Sequence, residues 1–98
     1  MTSKERSYLK GLATNYQSVT QIGKGGISQT LLRCVEDALK AHELVKLSVL
    51  ETAPVEPKEA LSIICAELNA EPVISIGRKI VLYKESEDKL IDLSLARK

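Results

Sequence analysis

Phenylalanine and tryptophan are absent, and three tyrosines supply all the aromatic character of the chain. A surface that stacks successive unpaired bases needs aromatic rings, so a multi-base single-strand platform is excluded. Histidine occurs once, at His42, and no nucleophile, histidine base and orienting carboxylate can be assembled convincingly around it. Cys34 and Cys65 stand 31 residues apart with no CxxC pair, which leaves no metal-site spacing. Both fall in helical patterns and read as small buried thiols of a reducing compartment, with a disulfide between them as the alternative. No uninterrupted run of 18 apolar residues occurs, and the opening Met1-Thr2-Ser3-Lys4-Glu5-Arg6 has no apolar core of a signal peptide. The expectation is a cytoplasmic protein without membrane association, metal, cofactor, small-molecule substrate or enzymatic activity.

What is present is an ordinary globular composition, 44% hydrophobic and 28% charged over 98 residues, enough for one domain with one core. The net charge is only +1, yet it is unevenly placed. Residues 1–46 carry seven Lys and Arg against four Asp and Glu, whereas 47–98 carry seven against nine. From Met1 to Arg33 the bases Lys4, Arg6, Lys10, Lys24 and Arg33 face a single acid, Glu5. Such a cluster makes a local positive face despite a balanced total, although solvated helix faces produce clusters too.

The stretch Gly23-Lys24-Gly25-Gly26 sits where the strand pattern ending at Ile22 gives way to a helix beginning at Ser28. Glycine has no Cβ and admits positive φ, so this turn can bring backbone N–H groups close to another molecule. The helix that follows adds unpaired N–H groups and the positive end of its dipole, and Lys24 adds a full charge. Phosphate is the anion this suits. Alternatively, a short strand-to-helix connection simply needs glycine for its geometry. The motif lacks the GxxxxGK[ST] spacing, and no acidic residue follows a GxGxxG loop, so neither nucleotide-binding motif is met.

Along the chain, Leu9, Leu12, Ala13 and Tyr16 recur on one face of a first helix over Ser3–Tyr16, with Ser3 as its N-cap. Gln17–Ile22 reads as a short edge strand. Leu31, Leu32, Val35, Ala38 and Leu39 define a second helix, flanked by the i,i+4 pair Glu36 and Lys40. In Leu44–Leu50, Val45, Leu47 and Val49 point one way and Lys46 and Ser48 the other, which predicts a strand with one covered and one wetter face. Pro57 opens a third helix with Leu61, Ile64, Cys65 and Leu68 inward, and Asn69 stops it. Val73–Ile76 and Ile80–Tyr83 form a hairpin around Gly77-Arg78-Lys79, its second strand apolar on both faces and hence central. The remainder, 85–98, is a charge-rich linker followed by alternation of Ile91, Leu93 and Leu95 with Asp92 and Ser94, expected as an extended tail.

Four motifs in order carry a resemblance. Lys4-Glu5-Arg6 with Leu9-Lys10-Gly11-Leu12-Ala13, then Ile22-Gly23-Lys24-Gly25-Gly26-Ile27, His42-Glu43-Leu44-Val45-Lys46, and Ile76-Gly77-Arg78-Lys79-Ile80-Val81-Leu82-Tyr83 together resemble the YhbY family. Its members are stand-alone bacterial CRM domains (chloroplast RNA splicing and ribosome maturation). Ser18 stands where many members carry proline, and Asn15-Tyr16 where histidine is frequent.

The resemblance implies an α+β fold like the C-terminal domain of translation initiation factor 3. That fold is a two-layer sandwich in the order α-β-α-β-α-β-β with a four-stranded mixed sheet. It divides the chain into a CRM domain over 1–84 and a tail over 85–98. It also implies an RNA-binding protein of large ribosomal subunit assembly, with structured precursor large-subunit ribosomal RNA as partner and a monomeric state. The candidate RNA-binding residues are Lys4, Arg6, Lys10, Gly23, Lys24, Gly25, Gly26, Lys46, Arg78 and Lys79. A protein-interaction adaptor of the same fold and an RNA-splicing cofactor are the alternatives.

Overall fold

The computed structural model describes residues 1–93. Its elements follow the predicted order: α1 (Ser3–Ala13), β1 (Thr20–Ile22), α2 (Gln29–His42), β2 (Leu44–Val49), α3 (Pro57–Leu68), β3 (Glu71–Ile76) and β4 (Lys79–Tyr83). The strands form one mixed sheet in the order β1-β2-β4-β3, with β1 and β2 parallel and the other neighbours antiparallel. β1 is an edge strand and β4 is central, as their patterns predict.

Alternation along β2 sets the two faces. Val45, Leu47 and Val49 join Ile22, Ile80 and Leu82 against Leu31, Val35 and Leu39 of α2 and Leu61, Ile64 and Leu68 of α3. On the opposite face Leu44, Val73, Val81 and Tyr83 meet Leu9 and Ala13 of α1, with Ile91 and Leu93 packed beside them. Helix α1 leaves part of this second face open, around Lys46 and Lys79; Ser48, on the same face, is buried and hydrogen-bonded to Ser18 and Lys79.

Local chemistry accounts for most element ends. Thr2, rather than Ser3, caps α1. Its hydroxyl accepts from the Glu5 N–H and the Glu5 carboxylate accepts from the Thr2 N–H, a reciprocal capping box. Helix α1 stops at Ala13, so Tyr16, expected on its apolar face, lies beyond its end and is exposed. Ser28 caps α2 through the Leu31 N–H, Pro57 opens α3, and Asn69 ends it in the left-handed conformation at φ 56°. Cys65 is buried as expected, but Cys34 is exposed. The apolar stripe of α2 runs through positions 31, 32, 35 and 39, and position 34 falls off it. Ser94 and Leu95 of the expected tail alternation lie outside the described residues.

A buried carboxylate fastens the segment after β4. Glu43 links α2 to β2 at φ 64°, a conformation that costs an L-residue roughly 1 kcal/mol or more, and its side chain is fully buried. It accepts from the Ser86 N–H (2.6 Å), the Ser86 hydroxyl (2.7 Å) and the Ile91 N–H (2.6 Å). The Glu43 carbonyl accepts from the Lys84 N–H, and the Lys84 amine donates to the Leu68 carbonyl at 2.8 Å. Burial by itself raises the Glu43 pKa, but the hydrogen bonds from Ser86 and Ile91 outweigh it and hold the carboxyl below its ordinary value.

A lowered folded-state pKa means that the unfolded chain binds the proton more readily. The stabilisation is therefore complete above the ordinary value of about 4.5 and is lost as pH falls through the folded-state value. Glu43→Gln is expected to cost about 2 kcal/mol at pH 7 in urea denaturation, the scale of hydrogen bonds to a charged group. The gap from the parent should close as pH falls below 4.5. A gap of constant size across that range would show that the charge is not the stabilising element.

Candidate nucleic-acid interface

The glycine loop is a hydrogen-bonded turn at one end of the sheet. The Gly26 N–H donates to the Gly23 carbonyl at 2.9 Å, so this donor is satisfied internally. Gly26 has φ 68°, and a Cβ there would sit 3.1 Å from Cγ of Pro54. Its glycine is required by the fold. Gly25 differs: it lies outside the positive-φ region, and a Cβ on it would meet nothing within 4 Å. Gly23 would make only ordinary contact, 3.6 Å, with Leu50. Lys24, at the tip, is exposed, and no hydrogen bond or ion pair holds it among the described residues.

Arg78 braces this end of the sheet. From the β3–β4 turn its Nε donates to the Val49 carbonyl (2.8 Å) and its Nη2 to the Leu50 carbonyl (2.6 Å), while Nη1 lies 3.9 Å from the Glu56 carboxylate. Leu50 in turn donates its N–H to the Ile22 carbonyl at 2.9 Å, the residue preceding the glycine loop. The guanidinium thus ties the hairpin tip to the loop that supports Gly23 and Gly26. This role was not legible from the motif, because its partners are backbone carbonyls 28 and 29 residues away.

A second group of bases meets on the open sheet face. Lys46 is paired in register with Val81, which is paired with Ile74; Ser48 is paired with Lys79, which is paired with Ile76. Lys46 reaches back to the carbonyls of Ala13 and Tyr16, 3.4 Å each, at the C-terminal end of α1. That end is the negative pole of the helix, where an ammonium is favoured. The Lys79 amine bonds the Ser48 hydroxyl, which also pairs with Ser18 at 2.7 Å. Arg6 Nε donates to the Pro72 carbonyl at 3.3 Å, setting α1 alongside β3.

Between α1 and these strands runs a groove. One cavity of about 200 Å³ is lined by Lys10, Lys46 and Lys79 over Ile74, Ile76 and Val81. An adjoining one of about 250 Å³ shares Lys10 and Ile74 and adds Arg6. No acidic side chain lines either. The fold therefore brings Arg6, Lys10, Lys46 and Lys79 into one groove and places Gly23–Gly26, Lys24 and Arg78 at the end of the same sheet. Lys4, exposed in the first turn of α1, lines neither cavity. The apolar floor was missed in the sequence, although the Ile74-Ser75-Ile76 alternation carries its signal.

Acidic side chains collect at the other end of the sheet. Glu36, Glu85, Glu87 and Asp88, outnumbering Lys40 and Lys84, line a cavity of about 390 Å³ beside the start of β2 and the end of β4. This segregation lets a chain of net charge +1 present a basic groove. Two further groups are electrostatically inert at neutral pH. Burial, then the charge of Glu71, pushes the Cys65 thiol up to about 11, and burial, then Glu43, pushes Tyr83 up to about 12. Among the described residues, no cluster of His, Cys, Asp and Glu could hold a metal ion, and no helix is long and apolar enough to cross a membrane.

Comparison with known proteins bears on this arrangement. The chain is 34% identical over 94 residues to the probable RNA-binding protein YqeI of Bacillus subtilis, covering 95% of this chain and 98% of that one. It is 33% identical over 93 residues to an RNA-binding protein of Haemophilus influenzae, covering 95% and 94%. The solution structure of the hypothetical protein SAV1595 from Staphylococcus aureus, proposed to bind RNA, superposes with a TM-score of 0.79. It has 38% identity and covers 94% of this chain and 97% of the other. Residues 1–84 match the CRS1 / YhbY (CRM) domain, and on that match and these relatives the chain belongs to the CRS1/YhbY family.

Proposed function

We propose that the protein binds structured RNA and acts, as a cytoplasmic monomer, in assembly of the large ribosomal subunit. The observation that carries the RNA reading is the groove. Four bases from α1, β2 and β4, scattered in sequence, line one surface with no acid among its lining residues, on the same sheet whose end carries the open glycine turn. The relatives named as RNA-binding proteins support it, and the likeness to the YhbY family supplies the ribosomal particle.

The residues divide the work. Lys24 and Lys10, unpaired among the described residues, present their ammonium groups to phosphates, Lys46 and Lys79 stand ready on the sheet, and Gly25 lets a backbone strand approach the turn. The Gly25 side of the loop is open. Arg78 and Gly26 hold the loop in shape, with Arg78 keeping its carbonyl partners. Phosphate contacts position RNA but carry little base information, so discrimination comes largely from RNA shape.

Gly26→Ala should lower stability by about 1–2 kcal/mol, the cost of forcing an L-residue into the left-handed region, with some added strain from Pro54. Gly25→Ala should melt like the parent yet bind structured ribosomal RNA more weakly. Parallel melting and filter-binding curves decide; unimpaired binding by Gly25→Ala would remove Gly25 from the RNA interface.

Each phosphate contact releases counterions, so Lys24→Ala should flatten the plot of log K against log salt by roughly 0.7–0.9. An unchanged slope removes Lys24 from the interface. For the particle, lysate sedimented through sucrose should show the protein with precursors of the large subunit. Its presence only in free fractions or mature ribosomes would sink that assignment while leaving RNA binding intact.

A further inference from the structure

We propose that the cleft between α1 and β3–β4 receives the base of a single unpaired nucleotide. This deepens the RNA reading above and rests on it. The cleft has two chemically distinct parts. Its floor is aliphatic: Ile74, Ile76 and Val81. Ile76 is 55% exposed, which for a large apolar side chain on a sheet face is a standing cost in water. Its rim is cationic, with Lys10, Lys46 and Lys79 on three elements.

A ligand that complements both parts is a planar apolar ring joined to an anion, as in one nucleotide of RNA. A wholly polar duplex backbone would satisfy the lysines and leave Ile76 wet. A purely apolar partner would cover Ile76 and desolvate three lysines without a counter-charge. The cavity, about 200 Å³, is smaller than the roughly 300–1,000 Å³ clefts that enclose drug-sized ligands. Its volume suits one ring system. The adjoining cavity continues past Lys10 to Arg6, giving the flanking phosphates a track along α1.

Two of the lysines are already positioned by the protein, Lys46 by the Ala13 and Tyr16 carbonyls and Lys79 by Ser48. Their ordering is therefore largely complete before RNA arrives. The absence of Phe and Trp fits this picture: a cleft for one base needs walls, not a stacking platform. Helical RNA hides its bases in the stack, so a nucleotide that enters the cleft comes from a bulge or loop.

The test uses two synthetic RNA hairpins with the same stem, one fully paired and one carrying a single bulged nucleotide, each of the four bases in turn. Affinity is read by fluorescence anisotropy at fixed salt. The parent protein should prefer the bulged hairpin about five- to tenfold, the low end for one docked base because the walls are aliphatic. An abasic bulge should lose that preference. Ile76→Ser, at an exposed position of an edge strand, should melt like the parent, bind the paired hairpin equally well, and show no preference for the bulge. Equal binding of the two hairpins by the parent, a preference that survives the abasic bulge, or one that survives in Ile76→Ser would overturn the proposal and leave the RNA reading standing. Failure of the parent to bind either hairpin would overturn both. Loss of a protein partner in Ile76→Ser, with RNA preference unchanged, would reassign the cleft to protein docking.

Discussion

The period-2 alternation of Leu44–Val49 is the constraint on which the molecule turns. β2 lies between a parallel neighbour and an antiparallel one, so its register fixes both halves of the sheet at once. With Val45, Leu47 and Val49 in the core, Lys46 and Ser48 must face the other way. A slip of one residue would put an ammonium among the leucines of α2 and α3 and turn three buried apolar side chains toward water. Core and candidate interface are therefore two sides of one decision. The same alternation that stabilises the domain delivers Lys46 to the open face and sets a buried Ser48 on that side to hold Lys79.

Polar clamps secure the two ends of this strand. At its start, Glu43 holds the chain after β4 through three hydrogen bonds to a buried carboxylate. At its end, Arg78 grips the carbonyls of Val49 and Leu50. Neither arrangement is a buried salt bridge, since the counterpart in each is mainly a set of backbone or hydroxyl dipoles. Dipoles fixed in the fold satisfy a charge with less reorganisation than a second mobile side chain would. Acids gather near the first clamp and bases near the groove, which is how a nearly neutral chain acquires a directional field.

The architecture was legible in the sequence wherever a signal is local. Helix α2 announces itself by the spacing of Leu31, Leu32, Val35 and Leu39, β2 by alternation, and α3 by Pro57 and Asn69. What escaped depends on partners far along the chain. The place of Tyr16 was misjudged because the helical pattern persists past the point where α1 ends at Ala13. Cys34 was expected inward because it falls inside a helical pattern and has no metal-site spacing, although the apolar stripe passes it by. The burial of Glu43 has no local signal, and only residues 86 and 91 show why a carboxylate belongs inside. Among the site residues, bases could be located but not sorted. Nothing local separates the braced Arg78 from the unpaired Lys24.

That sorting bears on how the glycine loop works. In GKGG the glycines look alike, yet the structure gives them different reasons: Gly26 answers to φ and to Pro54, Gly25 to neither. A residue without a side chain that the fold does not need is the one most plainly available for an approaching backbone. The turn bond from Gly26 to Gly23 removes one donor from such an encounter, leaving charge at Lys24 and space at Gly25 as what the loop offers. The loop is thus less a cage of N–H groups than an open corner with a lysine on it. In the proposed complex a corner of that kind would attract phosphate without enclosing it, and selectivity among RNAs would fall to the groove, where charge and apolar surface meet.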